Sequence, residues 1–206
     1  MMNSFLDYLD RLIPNPRCEL NYSKDYELLI ATMLSAQTTD RSVNQVTSVL
    51  FKKYPSLEAL SNASVDDVCM IIRPIGTFNK KALNVVSISR SLLLNGGFVP
   101  NNREYLESLP GVGRKTTNLV LSVLYNEPYI AVDTHVARVS VRLGFAVSSD
   151  SVLEIEKKLY KLIPMKRLGR SHLQMVLFGR YYCKAINPLC SSCEMKDICK
   201  YFSTRS

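Results

Sequence analysis

The chain has 206 residues, of which 47% are hydrophobic, so it can bury the core of one large domain or two small ones. Its 26 basic and 18 acidic residues give a net charge of +8, which suits a polyanionic partner such as nucleic acid or an anionic membrane surface. The acidic N-terminal segment lacks the basic start of a secretory signal, and no apolar run is long enough to span a bilayer, so we expect a cytoplasmic protein outside the membrane.

Apolar residues recur at helical spacing along nearly the whole chain, and no segment shows the alternation of a strand. The first predicted helices cover residues 26–34 (entered through Ser23), 43–50 (ending before Pro55), a segment from Ser64 and Asp67 to Pro74, and 83–92 (ended by Asn95, Gly96 and Gly97). The later ones are a short helix from Asn101 or Asn102 to Pro110, residues 116–125, Asp133 to Gly144, Ser151 and Glu154 to Pro164, and about Leu168 to Cys183. The sequence therefore predicts an all-α fold with short connections.

Four of the six cysteines crowd one C-terminal segment, where they are separated by six, two and five residues: Cys183, Cys190, Cys193 and Cys199. Four thiolates in one short segment can hold a [4Fe-4S] cluster or a zinc ion. Zinc sites more often pair two C-x2-C hairpins, and this segment has one. Four buried, unliganded thiols are disfavoured because the loop is polar. Cys18 and Cys69 lie on apolar stripes and are predicted to be core residues.

The sequence LPGVG, Leu109 to Gly113, lies between two predicted helices in the manner of a helix–hairpin–helix. Gly111 and Gly113 permit a positive φ and a close approach of backbone. Amides at the start of the next helix can then bind a phosphate oxygen, a contact that would hold a DNA backbone regardless of base sequence. Glycine pairs also occur in ordinary turns between helices, so a purely structural turn stays open.

Lys115 follows Arg114 at the start of the helix after this turn. Nucleophilic attack by a lysine needs its neutral amine. Three features oppose a positive charge on Lys115: the helix N-terminus, the neighbouring Arg114, and desolvation by the apolar LVLSVLY segment. The position therefore suits an activated amine, and it suits equally a surface lysine that contacts phosphate.

Asp133 is predicted to begin a helix as its N-cap, where backbone amides would keep the carboxylate ionised. Such a fixed anion can also stabilise positive charge on a sugar as its base departs. His135 lies on the same opening turn and is expected to be structural or to face phosphate. A metal-binding role is disfavoured because the other histidine, His172, is far along the chain.

Taken together, these motifs resemble the endonuclease III family of bifunctional DNA glycosylases of base excision repair. The resemblance rests on LPGVGRK, on VDTH with its aspartate eighteen residues after the lysine, on the cysteine spacing, and on the upstream ELLIATMLSAQTTDRSVN. It covers nearly the whole chain and implies two helical domains with a DNA-binding cleft between them. Residues 18–127 would form a six-helix barrel that contains the hairpin, and residues 1–17 with 128–206 a second domain that contains the cluster loop.

The resemblance also implies roles for single residues. Lys115 would be the nucleophile and Asp133 the catalytic carboxylate, and the four C-terminal cysteines would hold a [4Fe-4S] cluster. Gln37 would fill the space that a flipped nucleotide leaves, and Asp40 and Glu107 would face the same cleft. The residues expected to contact DNA are Gln37, Thr77, Phe78, Gly111, Gly113, Arg114 and His135.

The loop IGTFNKKA departs from the family pattern. Close relatives carry a bulky apolar residue where this chain has Thr77, the residue expected to wedge into the opposite strand. Wedges are usually large and apolar because they replace lost base stacking, so Phe78 is the alternative wedge. The resemblance consequently leaves the preference for the opposing base open.

The predicted function is removal of oxidised or ring-saturated pyrimidines through a lysine Schiff base, followed by β-elimination that nicks the strand 3′ to the abasic site. The protein would act as a monomer on double-stranded DNA with a damaged base or an abasic site, in the cytoplasm with the chromosomal DNA. An adenine-mismatch glycosylase is disfavoured because it lacks a lysine at the position of Lys115 and usually carries a further C-terminal domain. Three further functions stay open: a thymine- or uracil-mismatch glycosylase, a non-catalytic helix–hairpin–helix module that only binds DNA, and an electron-transfer protein.

Overall fold

The computed structural model describes residues 1–204, and within this range the chain is helical with no strand. This confirms the predicted all-α class. Among the same residues, no helix is both long enough and apolar enough to cross a membrane. The α-helices, in chain order, are α1 (Met2–Leu12), α2 (Asp25–Leu34), α3 (Asp40–Lys53), α4 (Leu57–Ser61), α5 (Val65–Ile72), α6 (Phe78–Leu94), α7 (Arg103–Ser108), α8 (Arg114–Tyr125), α9 (Thr134–Leu143), α10 (Val152–Leu162), α11 (Leu168–Tyr181) and α12 (Lys200–Ser203).

The chain divides into two compact units. One unit is continuous and runs from Cys18 to Tyr125; we call it the hairpin unit because it contains the LPGVG turn. The other joins Met1–Arg17 to the segment from Asn126 onward and contains the four C-terminal cysteines; we call it the cysteine unit.

In the hairpin unit, the core forms around α2, whose sequence DYELLIATML is apolar on nearly every side. Every residue from Tyr26 to Leu34 is buried, as expected for a helix without a polar face. Helices α3, α6 and α8 pack against α2, and α4 and α5 pack against α6. The starts of α3, α6 and α8 are therefore positioned by one buried helix.

In the cysteine unit, the N-terminal helix α1 packs on α11, near the other end of the chain. The ring of Phe5 meets that of Phe178 edge to face at 5.5 Å, and Phe5 also lies 5.7 Å from Phe145. Helix α9 packs between α11, α10 and α12. Buried aromatic contacts of this kind dominate core energetics and explain why two distant segments form one unit.

The helix caps confirm three predicted helix starts and correct a fourth. Ser64 does begin α5, but its side chain makes no cap hydrogen bond, so the predicted capping box is wrong. The carboxylate of Asp67 instead pairs with the Lys53 ammonium at 2.5 Å and accepts from the Tyr54 hydroxyl. The predicted caps that the structure confirms are Asn102 on α7, Asp133 on α9, and the capping box of Ser151 and Glu154 on α10.

The two cysteines outside the C-terminal segment are less buried than predicted. Cys18 and Cys69 are both half-buried thiols outside any disulfide, so their assignment to the core is wrong. The Cys69 thiol lies 3.7 Å from the Asn79 side-chain oxygen, at the edge of the helices α5 and α6.

Candidate active site

The LPGVG turn joins α7 to α8 with its two apolar side chains inward. Leu109 and Val112 are both buried, and the Val112 amide donates to the Leu109 carbonyl at 3.1 Å. Gly111 has a φ of +79°, and a Cβ built on it would lie 2.3 Å from Nδ2 of Asn84 on α6. Only glycine adopts this φ readily and also leaves room for the Asn84 side chain. The backbone conformation and Asn84 therefore both require glycine at position 111.

Gly113 differs from Gly111. Its φ is not positive, and a Cβ at this position would meet nothing within 4 Å, so of the two glycines only Gly111 uses the positive φ that both permit. Its carbonyl accepts from the Thr117 amide at 3.0 Å, at the beginning of α8. Gly113 thus leads directly into α8, whose N-terminal amides are of the kind that bind anions.

Lys115 lies in the first turn of α8 and is exposed, as is Arg114. The buried side of this helix is formed by Thr117, Asn118, Val120, Leu121 and Ser122. Lys115 lies outside this buried side, so the expected desolvation of Lys115 by the helix is wrong.

Asp133 is the N-cap of α9, in the cysteine unit. Its Oδ1 accepts from the Val136 amide at 2.8 Å, and the residue is half-buried. An N-cap hydrogen bond of this kind fixes the carboxylate in one rotamer and places it on the axis of positive potential at the helix start. Asp133 is thus a fixed anion that still reaches solvent.

His135 packs into its own unit. Its Nδ1 lies 3.1 Å from Nη2 of Arg138, which also donates to the Gly179 carbonyl at 2.7 Å. Burial lowers the pKa of His135 below its usual 6.5; Asp133 opposes this and Arg138 adds to it. Burial in this unit therefore disfavours the charged imidazolium of His135.

Two exposed residues of the hairpin unit adopt the left-handed backbone conformation without being glycine. Gln37, between α2 and α3, and Thr77, the N-cap of α6, both have a φ of 56°. Such conformations are uncommon, especially for a β-branched residue, and concentrate at functional sites. Phe78, the first residue of α6, is half-buried. The structure thus brings two of the predicted DNA-contacting segments into unusual, exposed turns.

The two acidic residues expected to face the cleft, Asp40 and Glu107, lie on separate helices. Asp40 is the first residue of α3 and half-buried. Glu107 on α7 is exposed and forms an ion pair with Arg103 at 2.6 Å, and Arg103 also donates to the Asn118 side chain at 2.6 Å. Glu107 therefore orients Arg103 beside α8.

The four C-terminal cysteines line one cavity of about 200 Å³ in the cysteine unit. Cys199 is buried, the other three are half-buried, and all are free thiols. Aromatic side chains complete the lining, among them Tyr8, Phe178 and Tyr182. Within residues 1–204, no three histidine, cysteine, aspartate or glutamate side chains are spaced to hold a single metal ion. A set of four thiols around a common cavity fits the ligand chemistry of an iron–sulfur cluster.

Arg142 on α9 forms hydrogen bonds to Cys183 and to the residues that follow it. It donates to the Cys183 Sγ at 3.4 Å and to the Lys184 carbonyl at 2.6 Å, and it stacks over Tyr201 at 4.0 Å. Burial raises the pKa of the Cys183 thiol, and Arg142 partly offsets this. Arg142 was not predicted from the sequence; the available signal was its spacing of four residues from Arg138, on one side of a helix.

Residues 30–165 match the HhH-GPD superfamily of base excision DNA repair proteins, which defines the class of protein. The chain is 43% identical over 196 residues to endonuclease III of Bacillus subtilis, covering 95% of this chain and 90% of that protein. Its structure is similar to that of a non-covalent endonuclease III–DNA complex, with a TM-score of 0.94 and 44% identity over 99% of this chain and 96% of the other. A trapped endonuclease III–DNA covalent intermediate matches with a TM-score of 0.93 and 44% identity over 100% and 98% of the two chains.

The chain therefore belongs to the endonuclease III family, as its motifs predicted. Membership in this family confirms the predicted class of enzyme, a DNA glycosylase and abasic-site lyase of base excision repair.

Replacement of Gly179 by alanine tests the packing that holds the first turn of α9. A Cβ at Gly179 would lie 2.8 Å from the His135 Cβ and 3.2 Å from its backbone, so Gly179→Ala should lower the free energy of unfolding by roughly 1–3 kcal/mol through overpacking. Urea denaturation followed by circular dichroism measures this. Gly76→Ala is the control, because its Cβ would meet nothing within 4 Å; equal stability of both variants would contradict the assignment.

Proposed function

We propose that the protein removes oxidised or ring-saturated pyrimidines from duplex DNA and cleaves the strand 3′ to the abasic site, with Lys115 as the nucleophile. The observation that carries this proposal is the position of Lys115, exposed in the first turn of α8 directly after the hairpin glycines. The trapped endonuclease III intermediate supports it, because that protein is bound covalently to DNA, and such a bond requires a protein nucleophile.

The hairpin would hold the DNA backbone. The first amides of α8 lie beside the open space at Gly113, and the exposed Arg114 adds a positive charge there. Backbone amides and arginine both bind phosphate oxygens without reading bases. The net charge of +8 favours association with DNA in general. The hairpin is thus a sequence-independent anchor that sets the position of Lys115.

The damaged nucleotide must leave the base stack before C1′ can be attacked. The exposed left-handed turns at Gln37 and Thr77 would support this step. Gln37 would occupy the gap that the nucleotide leaves. Thr77 would enter the opposite strand as the tip of its turn, and the half-buried Phe78 would supply the apolar surface that replaces lost stacking.

In the chemical step, the neutral Nζ of Lys115 attacks C1′, the glycosidic bond breaks, and the base leaves with the bonding electron pair. Asp133 would stabilise the positive charge that develops on the sugar and accept the proton that Lys115 loses. The nitrogen lone pair then forms the C1′=N bond of the Schiff base while the C1′–O4′ bond of the sugar ring breaks and O4′ takes up a proton. Loss of the C2′ proton from this Schiff base then expels the 3′ phosphate.

The four-cysteine cavity would hold a [4Fe-4S] cluster through Cys183, Cys190, Cys193 and Cys199. Burial raises the pKa of the Cys183 and Cys193 thiols, and thiolate ligation by a cationic metal centre offsets that cost. When bound, the cluster would supply structural order to the loop. The loop would present Lys184 and Lys196 to phosphate. We further propose that the protein acts as a monomer, in the cytoplasm with the chromosomal DNA.

Borohydride trapping on abasic-site DNA tests the nucleophile. Wild-type protein should give a covalent adduct, and Lys115→Ala should reduce its yield by at least ~100-fold, because no amine is left to form the Schiff base. Lys115→Arg is the matched control: it keeps the positive charge and should still bind the duplex, yet should form no adduct. A normal adduct yield from Lys115→Ala would contradict the assignment.

Strand cleavage and base excision distinguish this function from its competitors. A protein that only binds DNA would leave an abasic-site strand whole. A mismatch glycosylase would excise thymine or uracil opposite guanine in preference to a ring-saturated thymine. Excision measured on these duplexes under single-turnover conditions therefore decides the substrate class independently of the trapping experiment.

Iron analysis and visible absorbance test the cofactor. The purified protein should contain ~4 iron atoms per chain and absorb in the charge-transfer region of iron–sulfur clusters. Cys193→Ser should lose both signals, because it removes one ligand. Cys69→Ser should retain both, since Cys69 is a half-buried thiol of the other unit. Zinc in place of iron in protein purified anaerobically would contradict the proposal.

A further inference from the structure

Lys81 is a buried lysine on α6 that the proposed mechanism has not used. It is 5% exposed and follows Thr77 by one helical turn. Its ammonium donates to the Ala36 carbonyl at 2.9 Å and to the Thr38 hydroxyl at 3.1 Å. These two acceptors belong to the residues on either side of Gln37.

A lysine in this setting is costly, because ammonium groups are rarely buried and lose their hydration when they are. That cost is visible in the pKa of Lys81, which burial lowers below its usual 10.5. Both hydrogen bonds of the buried ammonium nevertheless go to one loop. Lys81 therefore donates two hydrogen bonds to the loop, which an apolar side chain of the same length could not do.

The loop needs such support because Gln37 has a φ of 56°, a conformation that glutamine adopts only when its surroundings enforce it. A backbone hydrogen bond also closes the turn around Gln37: the Thr38 amide donates to the Ser35 carbonyl at 3.1 Å. Lys81 holds both neighbours of Gln37 from a different helix. Gln37 itself stays exposed, so its side chain is free to meet a ligand.

Helix α6 also contacts the hairpin. Asn84, one turn after Lys81, lies so close to Gly111 that a Cβ there would be 2.3 Å from its Nδ2. Thr77 begins the same helix. One rigid helix therefore carries the Thr77 turn and touches both the Gln37 loop and the hairpin glycine, all within the hairpin unit.

We propose that Lys81 is a positioning residue that holds Gln37 ready to fill the gap left by an extruded nucleotide. The contact joins the Gln37 loop to the start of α6, so that Gln37 and Thr77 enter the duplex as one preorganised pair. This inference rests on the proposed function, since it assigns Lys81 to the extrusion step. Groups preorganised in this way cost no reordering at the moment of reaction.

Base excision measured in a single turnover at saturating enzyme tests the proposal. Lys81→Met keeps the buried length and removes both hydrogen bonds, and should slow excision of a ring-saturated thymine by ~10-fold. Lys80→Met is the matched control, because it removes a lysine from the adjacent, exposed position and should stay within ~2-fold of wild type. Similar rates for Lys81→Met and wild type would overturn the proposal.

A double-mutant cycle separates positioning from a general structural role. If Lys81 acts through Gln37, then Lys81→Met should change the rate by less than ~2-fold in a Gln37→Ala background. A full ~10-fold loss in that background would show that Lys81 acts elsewhere. An unchanged rate for Gln37→Ala alone, with a slow Lys81→Met, would overturn the proposal in the same way.

Thr38→Val provides a second variant in case Lys81→Met does not fold. It removes one of the two acceptors, and should slow excision by ~3-fold in the wild-type background and have no effect with Gln37→Ala. Equal losses in both backgrounds would again contradict the proposal. Failure of the proposed function would look different, because wild-type protein itself would then excise no damaged base.

Discussion

Several candidate functional residues lie at helix starts, and each of these helices buries one side of its body in a core. Lys115 lies in the first turn of α8, Asp133 caps α9, and Thr77 caps α6. The first amides of a helix have no partner within the helix, and they create positive potential at its end. Because each helix is held by its core, the direction of that potential is fixed. The proposed chemistry depends on this arrangement, because the proposed phosphate donors, carboxylate and nucleophile all lie at starts of helices that are anchored on one side.

Lys115, the proposed nucleophile, is exposed in the free protein. The apolar part of α8 is turned toward the core, so the protein alone does not dehydrate the amine. Lys115 shares the start of α8 with Arg114, which is also exposed. The proposed nucleophile is therefore open to an incoming duplex and is not enclosed by the protein.

Helical periodicity and capping residues were enough to predict the fold class, most helices and the cap at Asp133. Helix α1 was missed although its signal was present, since the buried Phe5, Leu6 and Leu9 are at helical spacing. The sequence did not show that Gly113 has an ordinary φ or that Lys115 faces away from the apolar side, since both depend on tertiary packing. Lys81 was missed because NKK reads as a surface charge run; its signal was a lysine spaced four and seven residues from the buried Val85 and Ile88.

Mapping the site of covalent attachment shows directly which residue is the nucleophile. Wild-type protein would be reduced with borohydride on abasic-site DNA, digested, and analysed by mass spectrometry for the residue that carries the deoxyribose remnant. We expect attachment to Nζ of Lys115, in the peptide that contains the start of α8. Attachment to another amine, such as Lys81 or the N-terminus, would contradict this assignment.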